Sequence, residues 1–262
     1  MNSEMNKKLV AFEKLLHIMD ELREKCPWDK MQTIESLKTM TIEETYELAD
    51  AIDRKNMDDI KKELGDLMLH LVFYSKIGEE KGDFDIEDVL KGISEKLIYR
   101  HPHVFSDVNV ENHDQVSKNW EELKLKENGG NNSVLGGIPV SLPALIKANR
   151  IQQKARGVGF DWEIREQVWD KIEEELGELK VEIDKIDQDK MEAEFGDLFF
   201  SIINAARLYG INPENALERT NRKFINRFNY LENQTIKKGR SLKDMTLAQM
   251  EEIWQEAKKF SD

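Results

Sequence analysis

EELGELKVEIDKIDQDKMEAEFGDLFF, residues 174–200, decides the fold. Apolar residues in and around it recur at spacings of three and four. Val168, Ile172, Leu176, Leu179, Ile183 and Ile186 form one helical stripe; Phe195, Leu198, Phe199, Ile202, Ile203 and Ala206 form a second. The polar run DKIDQDK at 184–190 contains the turn between them, and so short a connection predicts antiparallel neighbours. Residues three apart share a helix face, which pairs Glu175 with Glu178 and Glu194 with Asp197. An antiparallel hairpin then brings the two acidic pairs together.

The same pattern stands earlier in the chain. Glu44, Glu47, Glu63 and Asp66, in EETYE and ELGD, map onto Glu175, Glu178, Glu194 and Asp197 with one constant offset of 131. Lys96 and Arg100 share their spacing with Lys223 and Arg227, Trp120 in NWEELK resembles Trp254 in IWQEAK, and PWD at 27–29 loosely matches FDW at 160–162. Matches in the same order along the chain indicate duplication, hence two similar domains. The Gly-, Asn- and Ser-rich stretch ENGGNNSVLGGIPVSLP at 127–143 marks the boundary. The expected domains are 1–127 and 143–262, joined by a linker at 128–142. Leu37, Leu48, Ile52, Leu64, Leu67, Leu71 and Val72 supply the first copy's stripes, weakened by Thr41 and Thr45. Helices over 3–24 and 85–100 close the first bundle, and helices over 143–156 and 213–235 the second. No strand alternation competes, so the expected class is all-α with tandem helical bundles.

Composition narrows the function. The 262 residues are 39% hydrophobic and 35% charged, enough for a core beneath many exposed helix faces. A net charge of −13 argues against broad binding to a nucleic-acid backbone. It leaves room for a small phosphorylated ligand, because a cation can bridge acid to phosphate. Cys26 is the only cysteine, so no intrachain disulfide forms, and it reads as a packed thiol. The opening MNSEMNKKLVAFEK has no signal-peptide core, and no apolar run approaches the roughly 18 residues of a membrane helix. The expectation is a cytoplasmic protein without membrane contact.

Four clustered carboxylates repel one another unless a divalent cation lies among them. Oxygen-only ligands favour Mg²⁺, or Mn²⁺, over zinc, and Mg²⁺ commonly shares its shell with phosphates. A single EExxE is most often solvated surface. Its repetition with identical spacing, each time beside a glycine (Gly65, Gly196), favours a metal site. No histidine has Glu three positions earlier, against a di-iron bundle, and no GxxxxGK[ST] phosphate loop occurs. EELGE matches part of a Nudix box without its preceding Arg-Glu or its strands. His101 and His103 flank Pro102 and read as a helix ending, while Trp28, Trp162 and Trp254 can stack on a base or pack.

CPWDKMQT at 26–33, TIEETYEL at 41–48, ELGDLM at 63–68, RHPHVF at 100–105, SLPAL at 141–145, VGFDW at 158–162 and FGDL at 195–198 together resemble the MazG nucleoside triphosphate pyrophosphohydrolases in their long, two-domain form. The resemblance spans nearly the whole chain. It implies the all-alpha NTP pyrophosphatase fold, a homodimer, and Mg²⁺-dependent hydrolysis of ribo- or deoxyribonucleoside triphosphates, ATP among them, to monophosphate and pyrophosphate. Base tolerance and a role in clearing unwanted nucleotides follow from the same likeness. It assigns metal binding to Glu175, Glu178, Glu194 and Asp197, and makes Glu174 or Glu175 the group that orients or deprotonates the attacking water. Lys190, Lys223 and Arg227 become phosphate ligands; Lys171 and Trp254 become nucleotide contacts. Glu44, Glu47, Glu63 and Asp66 form a candidate second site, with Lys96 and Arg100 beside it. The resemblance puts the main activity in the second copy. One residue agrees independently: the place of Lys190 is taken by Asp59 in the first copy. Two rivals stay open, a narrow-substrate helical pyrophosphohydrolase acting on dUTP or phosphoribosyl-ATP and a non-enzymatic dimeric scaffold.

Overall fold

The computed structural model describes residues 3–106, 108–110, 115–116, 119–120, 123, 133–237 and 239–260. The expected linker at 128–142 falls outside them up to residue 132. Among the described residues there are helices and no strands. The chain divides into two compact units, Met1–Val110 and Glu111–Asp262.

In the first unit α1 (Ser3–Lys25) leads through the single turn α2 (Pro27–Lys30) into α3 (Ile34–Asp53) and α4 (Met57–Lys81). Then come α5 (Ile86–Arg100) and the short α6 (Pro102–Phe105). Thr33 and Ser36 close a capping box at the start of α3, and Asn56 caps α4 by accepting from the Asp58 and Asp59 amides. Gly82 ends α4 in the left-handed region at φ 72°, which costs glycine nothing. α3 and α4 form the hairpin, and α1 lies on α4. Met19, Leu37, Val72, Phe73 and Ile77 are the core, flanked by Phe12, Leu15, Leu16 and Leu69. Pro102 stands at the first turn of α6, so the histidines beside it sit at a helix break, as expected.

In the second unit α7 (Ala144–Gly157) precedes the hairpin of α8 (Gln167–Lys185) and α9 (Gln188–Leu208). α10 (Pro213–Lys237) and α11 (Leu247–Ala257) follow. α7 packs on both α9 and α10, and α11 packs on α10. Asp187 caps α9 from the Lys190 amide; Thr246 and Gln249 form a capping box on α11. Asp161 and Arg207 make a largely buried ion pair that ties the segment before α8 to the end of α9.

The hairpins repeat in backbone detail as well as in sequence. The residue before each cap is left-handed although it is not glycine: Lys55 at φ 55° and Ile186 at φ 56°. These two, and the caps Asn56 and Asp187, keep the same offset of 131. The apolar stripes are only partly covered, however. Val168, Leu179 and Ile203 are buried, whereas Leu176, Ile183, Ile186, Phe195, Phe199 and Ile202 are exposed. Contacts with α7, α10 and α11 leave that part of the hairpin's apolar stripes uncovered within the unit.

Candidate metal and phosphate site

Each hairpin focuses three carboxylates. Glu175 of α8 meets Glu194 and Asp197 of α9, each offering an oxygen within 4.8 Å of the others. Glu44 of α3 meets Glu63 and Asp66 of α4 in the same way. Glu175 and Glu63 are the most enclosed members, 5% and 6% exposed. The fourth acid of each predicted set, Glu178 or Glu47, is exposed and stands outside the tight trio. Their charges nevertheless reach it. Desolvation raises the Glu194 carboxyl above its usual range, and repulsion from Glu178, Asp197, Glu175 and Glu182 adds to the rise. Glu44 is raised by desolvation, then by Asp66 and Glu47, with His70 opposing. Such shifts mark places where negative charge is crowded and a cation is welcome.

A family model, the MazG nucleotide pyrophosphohydrolase domain, matches residues 32–105 and 165–231, the segments that carry the two hairpins. The chain belongs to the MazG family. A Thermotoga maritima protein named nucleoside triphosphate pyrophosphohydrolase/pyrophosphatase MazG is 47% identical over 95% of this chain and 96% of its own length. An Escherichia coli K12 nucleoside triphosphate pyrophosphohydrolase is 43% identical over 94% of this chain and 97% of its own. Among solved structures, a mazG-related protein from Thermotoga maritima matches with a TM-score of 0.39 at 27% identity, over 43% of this chain and 97% of that one.

Both trios fit the divalent cation the MazG family implies. All donors are carboxylate oxygens, the hard ligands that Mg²⁺ takes. Glu194 Oε2 and Glu63 Oε2 are buried without a protein hydrogen-bond partner. A buried carboxylate oxygen so placed is costly unless a cation or donor meets it.

The predicted basic residues are distributed unequally. Lys171 Nζ lies 2.7 Å from Glu175 and 2.8 Å from Glu174, and these contacts hold the ammonium firmly protonated. Lys190 pairs instead with Asp187 at 3.5 Å, at the start of its own helix. Lys223 and Arg227 stand one turn apart on α10. Between them Phe224 packs against Trp254 of α11, ring centroids 5.0 Å apart. In the first copy Lys62 fills the role of Lys171, 3.0 Å from Glu63 and 3.9 Å from Asp66. Lys96 is exposed and Arg100 half-buried at the end of α5.

Three features escape the sequence motifs. Glu182 sits one turn beyond Glu178, its Oε2 buried without a partner and its Oε1 held by Lys185 at 2.7 Å. Seven-residue spacing from Glu175 was the available signal. His70, 7% exposed, follows Asp66 by one turn of α4. A cavity of about 520 Å³ is lined by Gln152, Phe160, Trp162, Phe200, Asn204 and Arg207. Phe200, Asn204 and Arg207 bring α9 to this cavity, and Phe200 follows Asp197 by three residues on that helix.

Proposed function

We propose that this MazG family member hydrolyses nucleoside triphosphates, ribo- or deoxyribo-, to monophosphate and pyrophosphate with Mg²⁺, and so clears the nucleotide pool. The observation that carries the reading is the trio Glu175, Glu194 and Asp197, drawn together across the hairpin with Glu194 raised in pKa. Glu178 completes the ligand set from the exposed side. The cation, when bound, neutralises charge on the phosphate oxygens. Glu174 or Glu175 orients the attacking water and accepts its proton. Lys171 releases these acids and turns to phosphate as the substrate chain enters. Lys190, Lys223 and Arg227 hold the remaining phosphate oxygens by charge-assisted hydrogen bonds. Trp254 lies beside Lys223 and Arg227 as a nucleotide contact, and the cavity bounded by Phe160 and Trp162 receives the base. The second half, 143–262, is the main catalytic domain.

The exposed apolar residues of α8 and α9 support a homodimer, since patches of this kind rarely face solvent. Sedimentation of the full chain tests it, and a monomer at all concentrations removes it. No helix among the described residues is long and apolar enough to cross a membrane, which accords with a cytoplasmic enzyme. Product analysis by ³¹P NMR, with the full chain, Mg²⁺ and a panel of triphosphates, tests the reaction. Monophosphate and pyrophosphate are expected from several bases. Diphosphate with inorganic phosphate, or no product, overturns the reading; turnover of one nucleotide alone favours the narrow-substrate rival.

A further inference from the structure

The stretch just before α7 is tied down onto that helix. Lys154 is 7% exposed, and its Nζ donates to the carbonyl oxygens of Val134 at 3.0 Å and Gly136 at 3.4 Å. Lys147 Nζ donates to the Val140 carbonyl at 2.6 Å. The two lysines are seven residues apart, two turns along one face of α7. The later lysine holds the earlier residues, so 133–140 runs antiparallel to the helix.

This strap has a shape of its own. The Gly136 amide donates to the carbonyl of Ser133 at 3.0 Å and to its Oγ at 3.2 Å. The Ile138 amide donates to the Leu135 carbonyl at 3.4 Å, with Gly137 left-handed at φ 78°, as the third position of a type II turn requires. The turns bring the Val134 and Gly136 carbonyls to one ammonium. An enclosed ammonium is costly unless its donors are met, and the partners named here are neutral carbonyls. What the tie secures is Leu135, which stands between the two held carbonyls. Leu135 lines the cavity of about 520 Å³, with Ile151 and Ala155 of α7, Phe160, Trp162 and Phe200. Ile151 is three residues before Lys154 on the same helix face, so the tie lies at the cavity's edge.

We propose that residues 133–140 are a fixed strap of the second unit, and that Leu135, positioned by Lys154, is the wall that sets which size of base the cavity takes. The inference rests on the reading that this cavity receives the base, and deepens it by naming the side chain that limits base size. Leu135 presents only hydrocarbon, so it discriminates by volume and not by hydrogen bonds. Bases differ most in volume between two-ring purines and one-ring pyrimidines. Lys154 is a positioning residue; it acts through the strap.

The test uses the full chain. Hydrogen exchange read by mass spectrometry reports the strap: in Lys154→Met the amides of 133–140 should exchange faster, and those of α8 and α9 as in the wild type. Steady-state kinetics report the wall. Lys154→Met should raise KM for nucleoside triphosphates by about 10-fold with little change in kcat, because ground state and transition state lose the same base contact. Leu135→Trp should raise KM for purine triphosphates by about 10-fold more than for pyrimidine ones. Inorganic tripolyphosphate has no base, and its inhibition constant should not move in Leu135→Trp. Leu135 is 46% exposed, so this variant tests the wall even where Lys154→Met folds poorly. Unchanged exchange in Lys154→Met overturns the inference alone. Faster exchange with KM unmoved in both variants means that the base lies elsewhere, which sinks the placement of the base above and the size selection with it. An equal rise for purines, pyrimidines and tripolyphosphate in Leu135→Trp marks general damage and overturns the size selection.

Discussion

At their turns the two hairpins coincide: Lys55 and Ile186 take the same left-handed conformation, and Asn56 and Asp187 cap the helix that follows. Around the acids they part. Lys171, Glu182, Lys190 and Ser201 of the second hairpin stand where the first has Met40, Ala51, Asp59 and His70. The frame that brings three carboxylates together is shared by the two copies, and the residues around the carboxylates are not. A duplicated scaffold can preserve a charge cluster while its neighbours retune it, because backbone turns set the position of a side chain and neighbours set its electrostatics.

The sharpest way to break this contrast is to empty each trio in turn. Asp197→Asn should lower kcat/KM for triphosphate hydrolysis by roughly 10²- to 10³-fold, because the cation that would neutralise transition-state charge loses one of its ligands. Asp66→Asn should lower it by far less. Equal losses in steady-state assays would make the two halves catalytic equals.

Stability offers a second contrast. Arg207 is almost enclosed and pairs with Asp161, while Arg23 pairs with the more exposed Glu80. Asp161→Asn should cost about 3 kcal/mol, because it strands a buried guanidinium, and Glu80→Gln nearer about 1 kcal/mol. Urea unfolding followed by circular dichroism measures both. The Asp161 pair also predicts a pH limb. Burial alone would raise the Asp161 carboxyl, but the Arg207 hydrogen bond and charge hold it below its usual range. Its contribution is therefore full above the ordinary carboxylate pKa and lost as pH falls through the depressed value. Asp161→Asn should flatten that acid limb of the melting curve.

Gly78 gives a smaller effect confined to the first half. A Cβ there would lie 2.7 Å from the Phe84 carbonyl oxygen and 2.8 Å from its ring. Gly78→Ala should therefore destabilise by about 2 kcal/mol through overpacking. The matching residue in the second half is Tyr209, which accepts a hydrogen bond from Trp169 at 3.0 Å. A neutral Gly78→Ala melt would show that the start of α5 moves aside readily.

The smallest expected change is a gain. A β-branched residue in the left-handed region is strained, so Ile186→Asn should stabilise by about 1 kcal/mol, and Lys55→Asn by less. Thermal denaturation of the two variants ranks them, and equal shifts would mean that the branch at Cβ costs nothing there.

Much of this was legible in the sequence. Three- and four-residue periodicity located both hairpins and their flanking helices, since helical period is a local property of the chain. The constant offset paired the acids before any coordinates did, because both copies share one spacing. What spacing could not supply was the rotation of each helix about its axis. Glu175 and Glu178 share a face on paper, yet packing buries Glu175 and leaves Glu178 in solvent. The same rotation buries His70 and the Oε2 atom of Glu182, although neither residue belongs to EExxE or ExxD. It also leaves Leu176, Phe195 and Phe199 exposed, where their stripes alone predicted a core. Spacing within each helix is enough to place two acid-bearing hairpins in this chain; which of their side chains turn inward follows from contacts between helices, which spacing does not encode.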